Sequence, residues 1–358
     1  MESKPHNENW PLWEVFIRPR QGLDHKHAGS LYAADAQMAV ENARDVYTRR
    51  NEGISIWVVE SKYIHASNPS ESDSLYDPAN DKVYRHPSFY NLPDELKKYL
   101  TMDLLSTYII HLADNALVLG HRDSEWTGHG PILEQDIALS NIALDLVGQA
   151  RNFYLLAASR LNELTPGHHI TEDDLAYLRD VNEFRNFILV EQLNGDWAKT
   201  ILRQFYFSTY QFLLYNQLLQ SNIPEIAAIS EKSIKETRYH VKWSSEWVLR
   251  LGDGTEESHA RMMDAMKTLH PWISELFLPA DFEYEVAASG AGILPELLKD
   301  DWYYKVNKLF ETATLPRLTS EKKPMQFLSG KKGVHSEHLG FLLAEMQFLQ
   351  RAYPGANW

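Results

Sequence analysis

The sequence contains no cysteine. Disulfide bonds, thiolate metal sites, iron–sulfur ligation and a cysteine nucleophile are therefore excluded, and the composition fits a reducing compartment. Long apolar runs are also absent, since none approaches the roughly 18 residues that a membrane span requires. The stretch MESKPHNENWPLWEVF lacks the basic start and the apolar core of a signal peptide. We therefore expect a cytoplasmic protein.

Positive charge is scarce, with 35 Lys and Arg against 49 Asp and Glu and a formal net charge of -14 at pH 7. Binding to phosphate groups requires clustered basic residues, so this balance argues against a nucleic-acid or anionic membrane surface. Aromatic content is high, with 10 Trp and 18 Tyr. Large aromatic side chains are enriched at the centres of interfaces, which indicates a protein partner.

Residues 1–66 are predicted to form a small α/β domain. Alternating side chains in PLWEVFIR and HAGSLYAA predict two strands, DAQMAVENARDVYTRR predicts a helix, and ISIWVVESKYI predicts a third strand. A unit of this size is marginally stable alone, so we expect it to pack on another domain or chain. Residues 67–95 have loop composition but are rich in aromatics, which predicts an ordered, extended arm. Its aromatic residues are Tyr76, Tyr84, Phe89 and Tyr90.

Residues 96–358 are predicted to form a large helical bundle, which makes the fold class mainly α. Turn sequences such as GHGP, NGD and GDGT separate long segments with helical periodicity. Long helices joined by short turns are typical of an up-down bundle. The helices are predicted at about 96–121, 132–161, 172–193, 196–221, 223–251, 255–277, 294–312 and 335–352.

A row of polar residues runs along the second of these helices. Glu134, Asn141, Asp145 and Asn152 follow one another at intervals of seven, four and seven residues, so they share one face. Buried polar groups cost free energy unless they find partners. A polar row in an otherwise apolar helix is therefore either a hydrogen-bonded network or a site.

A helical bundle with inward acids raises the possibility of a di-iron carboxylate site. Such a site takes one Glu from each of two helices and a Glu-x-x-His pair from each of two others. The only Glu-x-x-His pair is Glu256 with His259, which lies at the start of a helix instead of its middle. We therefore predict that no working di-iron site is present.

The positions where imidazoles would be needed carry other residues. Three residues after Asp145 stands Gly148, and three residues after Glu236 stands Tyr239. His240 is a histidine, but Thr237 occupies the position three residues before it where the acid would be needed. The remaining acidic candidates are Asp114, Glu183 and Glu191, and Asp114 is predicted to face Asp145. These residues are better interpreted as a satisfied polar core than as metal ligands.

Other catalytic motifs are missing or incomplete. His335 and His338 lie three residues apart but lack a second pair, so surface or interface histidines are favoured. The sequence contains no G-x-S-x-G, P-loop or G-x-G-x-x-G motif. Triad hydrolysis and nucleotide chemistry therefore have no support.

Several long segments carry a resemblance to a known family. LADNALVLGHRDSEWTGHGPILEQDIALSNIALDLVGQAR, DVNEFRNFILVEQLNGDWAKTI, KETRYHVKWSSEWVLRLGDGTEES and GVHSEHLGFLLAEMQFLQRAYPGANW resemble the C component of bacterial phenylacetyl-CoA epoxidase. The first part, from WPLWEVFIRPRQGLDHKHAGSLYAADAQMAVENARDVYTRR to YDPANDKVYRHPSFYNLP, resembles its B component. The chain thus resembles a B–C fusion over nearly its whole length.

This resemblance implies a ferritin-like bundle in a complex that converts phenylacetyl-CoA to its ring 1,2-epoxide with O2 and NADPH. It implies that a separate A component holds the two irons and that a reductase with FAD and an iron–sulfur cluster supplies electrons. This chain is then a catalytically silent structural subunit that binds no cofactor or metal and pairs with the A component. Its B-like domain is expected to self-associate into an even-numbered oligomer.

The polar core is then interpreted as the remnant of a di-iron site, and its predicted members are Asp114, Glu134, Asn141, Asp145, Gly148, Glu183, Glu191, Glu236, Tyr239 and His240. Two alternatives stay open. One is a self-contained ferritin-like metallo-oxygenase with an unusual carboxylate-rich site. The other is a module that helps to bind the CoA thioester, to which arginines such as Arg18, Arg20, Arg49 and Arg50 could contribute.

Overall fold

The computed structural model describes residues 10–20, 24–48, 53–66, 102–167, 169–319 and 329–353. The chain divides into two compact units, Met1–Asp81 and Lys82–Trp358. The predicted arm over residues 67–95, with its four aromatic residues, lies outside the described residues. The predicted domain limits therefore stay predictions.

The first unit is a three-stranded antiparallel sheet with one helix. Its strands are β1 (Leu12–Arg18), β2 (Lys26–Tyr32) and β3 (Ser55–Glu60), in the order β2-β1-β3, and α1 spans Ala36–Tyr47. The Asp35 side chain caps α1 by accepting a hydrogen bond from the Met38 N–H at 2.9 Å. The three predicted strands and the predicted helix are confirmed.

In its described part, the regular secondary structure of the second unit is helical, apart from an isolated β-bridge between Ser329 and Val334. Four helices exceed 20 residues: α2 (Leu104–Ser124), α3 (Leu133–Leu164), α6 (Trp197–Leu218) and α7 (Pro224–Gly252). The others are α4 (Glu172–Tyr177), α5 (Ile188–Glu191), α8 (Glu256–Ile273), α9 (Asp281–Ala288), α10 (Lys299–Thr312), α11 (Glu337–Met346) and α12 (Phe348–Ala352). The predicted large helical bundle is confirmed.

The bundle core lies between the four long helices. Helix α2 packs along α3, and α6 packs along α7. The middle of α2 is buried on all sides, because α3, α5 and α9 surround it. In the part of the chain that the structure describes, no helix is long and apolar enough to cross a membrane.

The single helix predicted over residues 172–193 is wrong. The chain instead forms α4, a short 3₁₀ turn at Val181–Glu183, an extended segment and α5. Side chains of α2 bind the extended segment. Asp114 accepts a hydrogen bond from the Arg185 N–H at 2.7 Å, and Asn115 accepts one from the Phe187 N–H at 2.9 Å. These backbone N–H groups are therefore satisfied outside a helix.

Candidate functional site

The polar row predicted on α3 faces mostly away from the core. Glu134, Asn141 and Gly148 are exposed, while Asp145 and Asn152 are half-buried. The buried face of α3 instead carries apolar residues, including Leu139, Ile142, Leu146, Ala150 and Phe153. The prediction of a buried polar row is therefore wrong for its exposed members.

The expected imidazole positions do not face the core either. Tyr239 is exposed on α7. Gly148 is exposed on α3, whereas the next residue, Gln149, is fully buried. Because successive helix residues point about 100° apart, a histidine at position 148 would have pointed outward. The interpretation of Gly148 and Tyr239 as lost ligand positions is therefore wrong.

A chain of hydrogen bonds links α3, α6 and α7. Gln149 Nε2 donates to Glu236 Oε2 at 2.9 Å, and Gln211 Nε2 donates to Gln149 Oε1 at 3.0 Å. The Tyr215 hydroxyl also donates to Gln149 Oε1, at 3.3 Å. Burial raises the pKa of Tyr215, so its hydroxyl stays neutral. The central polar residues are thus mainly neutral amides, which sequence reasoning missed.

Asp145 and His240 form a separate contact between α3 and α7. His240 Nε2 lies 3.1 Å from Asp145 Oδ2. The His240 side chain is fully buried, whereas the Asp145 carboxylate remains partly exposed. Asp145 and Glu236, one pair of predicted core residues, therefore lie where α3 meets α7. Glu236 contacts Gln149 and Asp145 contacts His240, so both acids form contacts that join α3 to α7.

Asp114 is fully buried, but its partner is an arginine and not Asp145. The Arg179 guanidinium binds both carboxylate oxygens, with Nη1 3.1 Å from Oδ2. The Tyr154 hydroxyl donates to Oδ1 at 2.5 Å, and the Arg185 N–H completes the set. Burial alone would lower the pKa of Arg179, but the charge of Asp114 raises it. The prediction that Asp114 faces Asp145 is wrong.

Glu191 is also buried and belongs to another cluster. Its Oε2 lies 2.8 Å from His335 Nδ1 and accepts Asn186 Nδ2 at 3.0 Å, and its Oε1 accepts the Ser336 N–H at 2.7 Å. Of the two favoured positions for His335, surface or interface, the surface position is wrong, because the side chain is 1% exposed. Burial alone would lower the pKa of His335, but the bond to Glu191 raises it. Glu183, by contrast, accepts the Asp180 N–H at 2.7 Å in a turn.

Two further buried carboxylates hold the segment Ser329–Ser336. Glu275 accepts the N–H groups of Ile188 and Gly330, each at 2.7 Å, and burial raises its pKa to about 7. Glu283 accepts Lys331 Nζ at 2.7 Å. Burial lowers the pKa of Lys331, although Glu283 opposes this effect. Sequence reasoning missed both acids, because neither has a motif partner nearby in the sequence.

These contacts decide what the predicted site residues can do. Asp114 is paired with the Arg179 guanidinium. Glu191 accepts hydrogen bonds from Asn186 and the Ser336 N–H and contacts His335. Amide side chains link α3, α6 and α7. Among the described residues, no group of three or more His, Asp or Glu side chains is arranged to hold a metal ion. A di-iron centre needs four carboxylates and two imidazoles together. The residues present therefore do not fit that centre.

The fold and these contacts define a ferritin-like helical bundle preceded by a small α/β unit. The chain belongs to the phenylacetic acid catabolic protein family, whose model matches residues 93–358. The family model for phenylacetic acid degradation B matches residues 9–97. The predicted fusion of a B-type and a C-type component in one chain is confirmed.

Named relatives match the same two parts. The chain is 43% identical over 257 residues to the C component of 1,2-phenylacetyl-CoA epoxidase from Escherichia coli strain K12, covering 72% of this chain and 100% of that one. It is 60% identical over 91 residues to the B component of the same epoxidase, covering 25% of this chain and 96% of the relative. A crystal structure of a phenylacetate-CoA oxygenase subunit from Ralstonia eutropha JMP134 is 68% identical, with a TM-score of 0.16, and covers 17% of this chain and 100% of that one.

Proposed function

We propose that this chain is a non-catalytic structural subunit of a phenylacetyl-CoA epoxidase. In this proposal it pairs with a separate di-iron catalytic subunit, and a reductase with FAD and an iron–sulfur cluster supplies the electrons. The names of the two relatives, the C and B components of 1,2-phenylacetyl-CoA epoxidase, support membership of such a complex. The fusion would then fix one B-type unit to each C-type unit.

One observation gives the main support for a non-catalytic role of this chain. Asp114, the buried acid on α2, binds the Arg179 guanidinium through both of its oxygens. A carboxylate that already pairs with a guanidinium in the protein interior has its charge balanced and its lone pairs occupied. A cation at Asp114 would have to displace a buried arginine, which would itself be left without a partner. This arrangement supports a structural use of the acids in the bundle.

Reconstitution tests the proposal. The purified chain, the catalytic subunit and the reductase are assayed together and in each pairwise combination for NADPH- and O2-dependent conversion of phenylacetyl-CoA to the epoxide. We expect turnover only when the catalytic subunit is present, and more turnover when this chain is added. Turnover by this chain with the reductase alone would refute the proposal.

Conservative amide variants sharpen the experiment. Asp145→Asn and Glu236→Gln keep the size of the side chain but remove its charge. If the acids only align helices, the variants should support turnover of the assembled complex as well as the original chain does. Thermal unfolding of each variant provides the control, because a loss of activity counts only when the fold is intact.

A self-contained metallo-oxygenase is a second candidate, favoured by the contact between Asp145 and His240. The Nδ1 atom of His240 is buried without a partner among the described residues. Metal analysis separates the two candidates. Two irons per purified chain, with a di-iron optical signature that is lost in Asp145→Asn, would favour the oxygenase. Substoichiometric iron that the variant leaves unchanged supports the structural role.

A further inference from the structure

A small cavity lies between α2 and α6 inside the helical bundle, and its volume is about 10 Å³. Besides apolar side chains, its lining includes buried polar residues of the two helices, namely His111, Asn115, Tyr210, Gln211 and Tyr215. One water molecule needs roughly 10–15 Å³ and two to four polar partners. The cavity therefore has room for a single water molecule and for no larger ligand.

The amide of Gln211 brings a buried acceptor to this cavity. A carboxylate only accepts hydrogen bonds, so the Gln149 amide directs its Nε2 to Glu236 and its Oε1 to Gln211. Gln211 Nε2 must then be the donor to Gln149 Oε1, and it also donates to the Tyr215 hydroxyl at 3.0 Å. This orientation leaves Gln211 Oε1 buried and without a partner among the described residues. Such an atom costs free energy unless a donor reaches it.

The imidazole of His111 brings a second acceptor, from α2. Its Nδ1 lies 2.6 Å from the Arg185 carbonyl oxygen, which can only accept, so Nδ1 carries the proton. Burial and the charge of Lys331 lower the pKa of His111 to about 3, so the ring is neutral and Nε2 is an acceptor. Asn115 Nδ2 is 3.4 Å from Nε2 and almost equally close to Nδ1, at 3.3 Å. Because the Nε2 lone pair points away from Nδ1, Asn115 does not lie along it.

Asn115 supplies a donor to the same cavity. Its Oδ1 accepts the Phe187 N–H, and one N–H of its Nδ2 donates to the His111 carbonyl oxygen at 2.8 Å, which leaves the second N–H of Nδ2 available. The occupant must therefore donate two hydrogen bonds and accept one. A metal cation donates none, an ammonium ion accepts none, and the nearby charge of Lys331 disfavours any further cation. Water meets all of these requirements.

We propose that this cavity is a binding site for one ordered water molecule, which donates to Gln211 Oε1 and His111 Nε2 and so bridges α6 to α2. With this water, the hydrogen bonds that start at Glu236 on α7 continue through Gln149 on α3 and Gln211 on α6. They then reach His111 on α2 and the Arg185 carbonyl oxygen. The water thus joins the four long helices and the extended segment before α5 in one uninterrupted network.

Crystal structures of the full chain and of two variants test the site. Gln211→Met replaces the amide by an apolar side chain of similar length. Gln204→Met is the matched control, because Gln204 is a buried glutamine two turns earlier on the same face of α6 and does not line the cavity. We expect one ordered oxygen atom within roughly 3 Å of Gln211 Oε1 and His111 Nε2 in the original chain. The control should keep this atom, and Gln211→Met should lose it.

A solution measurement gives an independent readout. Magnetic relaxation dispersion of water ¹⁷O counts the long-lived internal water molecules of a dissolved protein. Gln211→Met should hold about one such water fewer than the original chain, and Gln204→Met should hold the same number. Circular dichroism first establishes that each variant is folded. If Gln211→Met does not fold, the electron density of the original chain still decides whether the cavity holds water.

Several results would overturn the proposal. These are a direct hydrogen bond between Gln211 and His111, an ion with an anomalous signal in the cavity, or no ordered density there in crystals that show other buried waters. Retention of the water in Gln211→Met, or its loss in Gln204→Met, would show that the Gln211 oxygen does not hold it. Ordered water in the original chain and the control, with one water fewer in Gln211→Met, supports the proposal.

Discussion

Replacing Asp114 by alanine should destabilise the bundle strongly. The substitution removes a buried carboxylate that accepts hydrogen bonds from Arg179, the Tyr154 hydroxyl and the Arg185 N–H. Arg179 would then be a buried cation without its counterion. Removing one partner of a buried ion pair typically costs about 3–5 kcal/mol. For a unit of this size, that corresponds to a fall in the midpoint of thermal unfolding of roughly 10 °C.

The assay is thermal and urea unfolding of the full chain, followed by circular dichroism at the helix band. Glu257→Ala is the matched control, since Glu257 forms an exposed ion pair with Arg261 on α8, and exposed pairs contribute little to stability. Asp114→Asn keeps the shape but removes the charge and should lie between the two. If Asp114→Ala costs no more than the control, the structural role assigned to this carboxylate is wrong.

Three more predictions concern the contacts of Ser329–Ser336. Burial raises the pKa of Glu275 from 4.5 to about 7, so the original chain should lose stability as the pH rises between these values. Glu275→Gln does not titrate but lacks one of the two oxygens that accept the Ile188 and Gly330 N–H groups. Its stability relative to the original chain should therefore rise with pH across this range in urea titrations, and a pH-independent difference would contradict this. The pKa of His335 is raised by its bond to Glu191, so the stabilisation from the charged imidazole is complete below the unfolded pKa and is lost as the pH rises through the native one. His335→Ala should therefore cost more stability at pH 6 than at pH 9 in the same titrations, and an equal cost at both would contradict this. In Gly330→Ala the new Cβ would clash with the Asn186 carbonyl oxygen, so the unfolding midpoint should fall measurably. In Gly148→Ala the Cβ meets no atom within 4 Å, so the higher helix propensity of alanine should raise stability by about 1 kcal/mol. Equal midpoints for the two variants would refute the packing argument.

The long helices could be predicted because their apolar periodicity is continuous and their ends carry turn signals. Helix α7, for example, was expected at 223–251 and is observed at Pro224–Gly252. The break between α4 and α5 could not be predicted, because it depends on Asp114 and Asn115. The hydrogen bonds from these side chains to Arg185 and Phe187 join residues more than 70 positions apart. The sequence around Arg185 and Phe187 does not reveal such distant partners.

The orientation of α3 was harder to predict than its presence. Its outward side is itself apolar, with Leu133, Ile137 and Leu144 exposed, so periodicity alone does not distinguish the core face from the opposite face. The polar residues between them then looked buried. The spacing from Asp145 selects Gly148, whereas the buried polar residue is Gln149, which lies about 100° further round the helix. An apolar outward side therefore has the same sequence pattern as a side that faces the core.

The contacts of the segment Ser329–Ser336 also limit how far this protein can fold during its synthesis on the ribosome. Glu191 precedes its partner His335 by 144 residues. At a synthesis rate of about 5–20 residues per second, that distance corresponds to roughly 7–30 s. Throughout this interval Glu191 lacks His335, and Glu275, which lies 55 residues before Gly330, lacks one of its two backbone N–H donors once it has been synthesised. The interior of the bundle is therefore completed late in translation, and premature burial of these two acids would be energetically unfavourable.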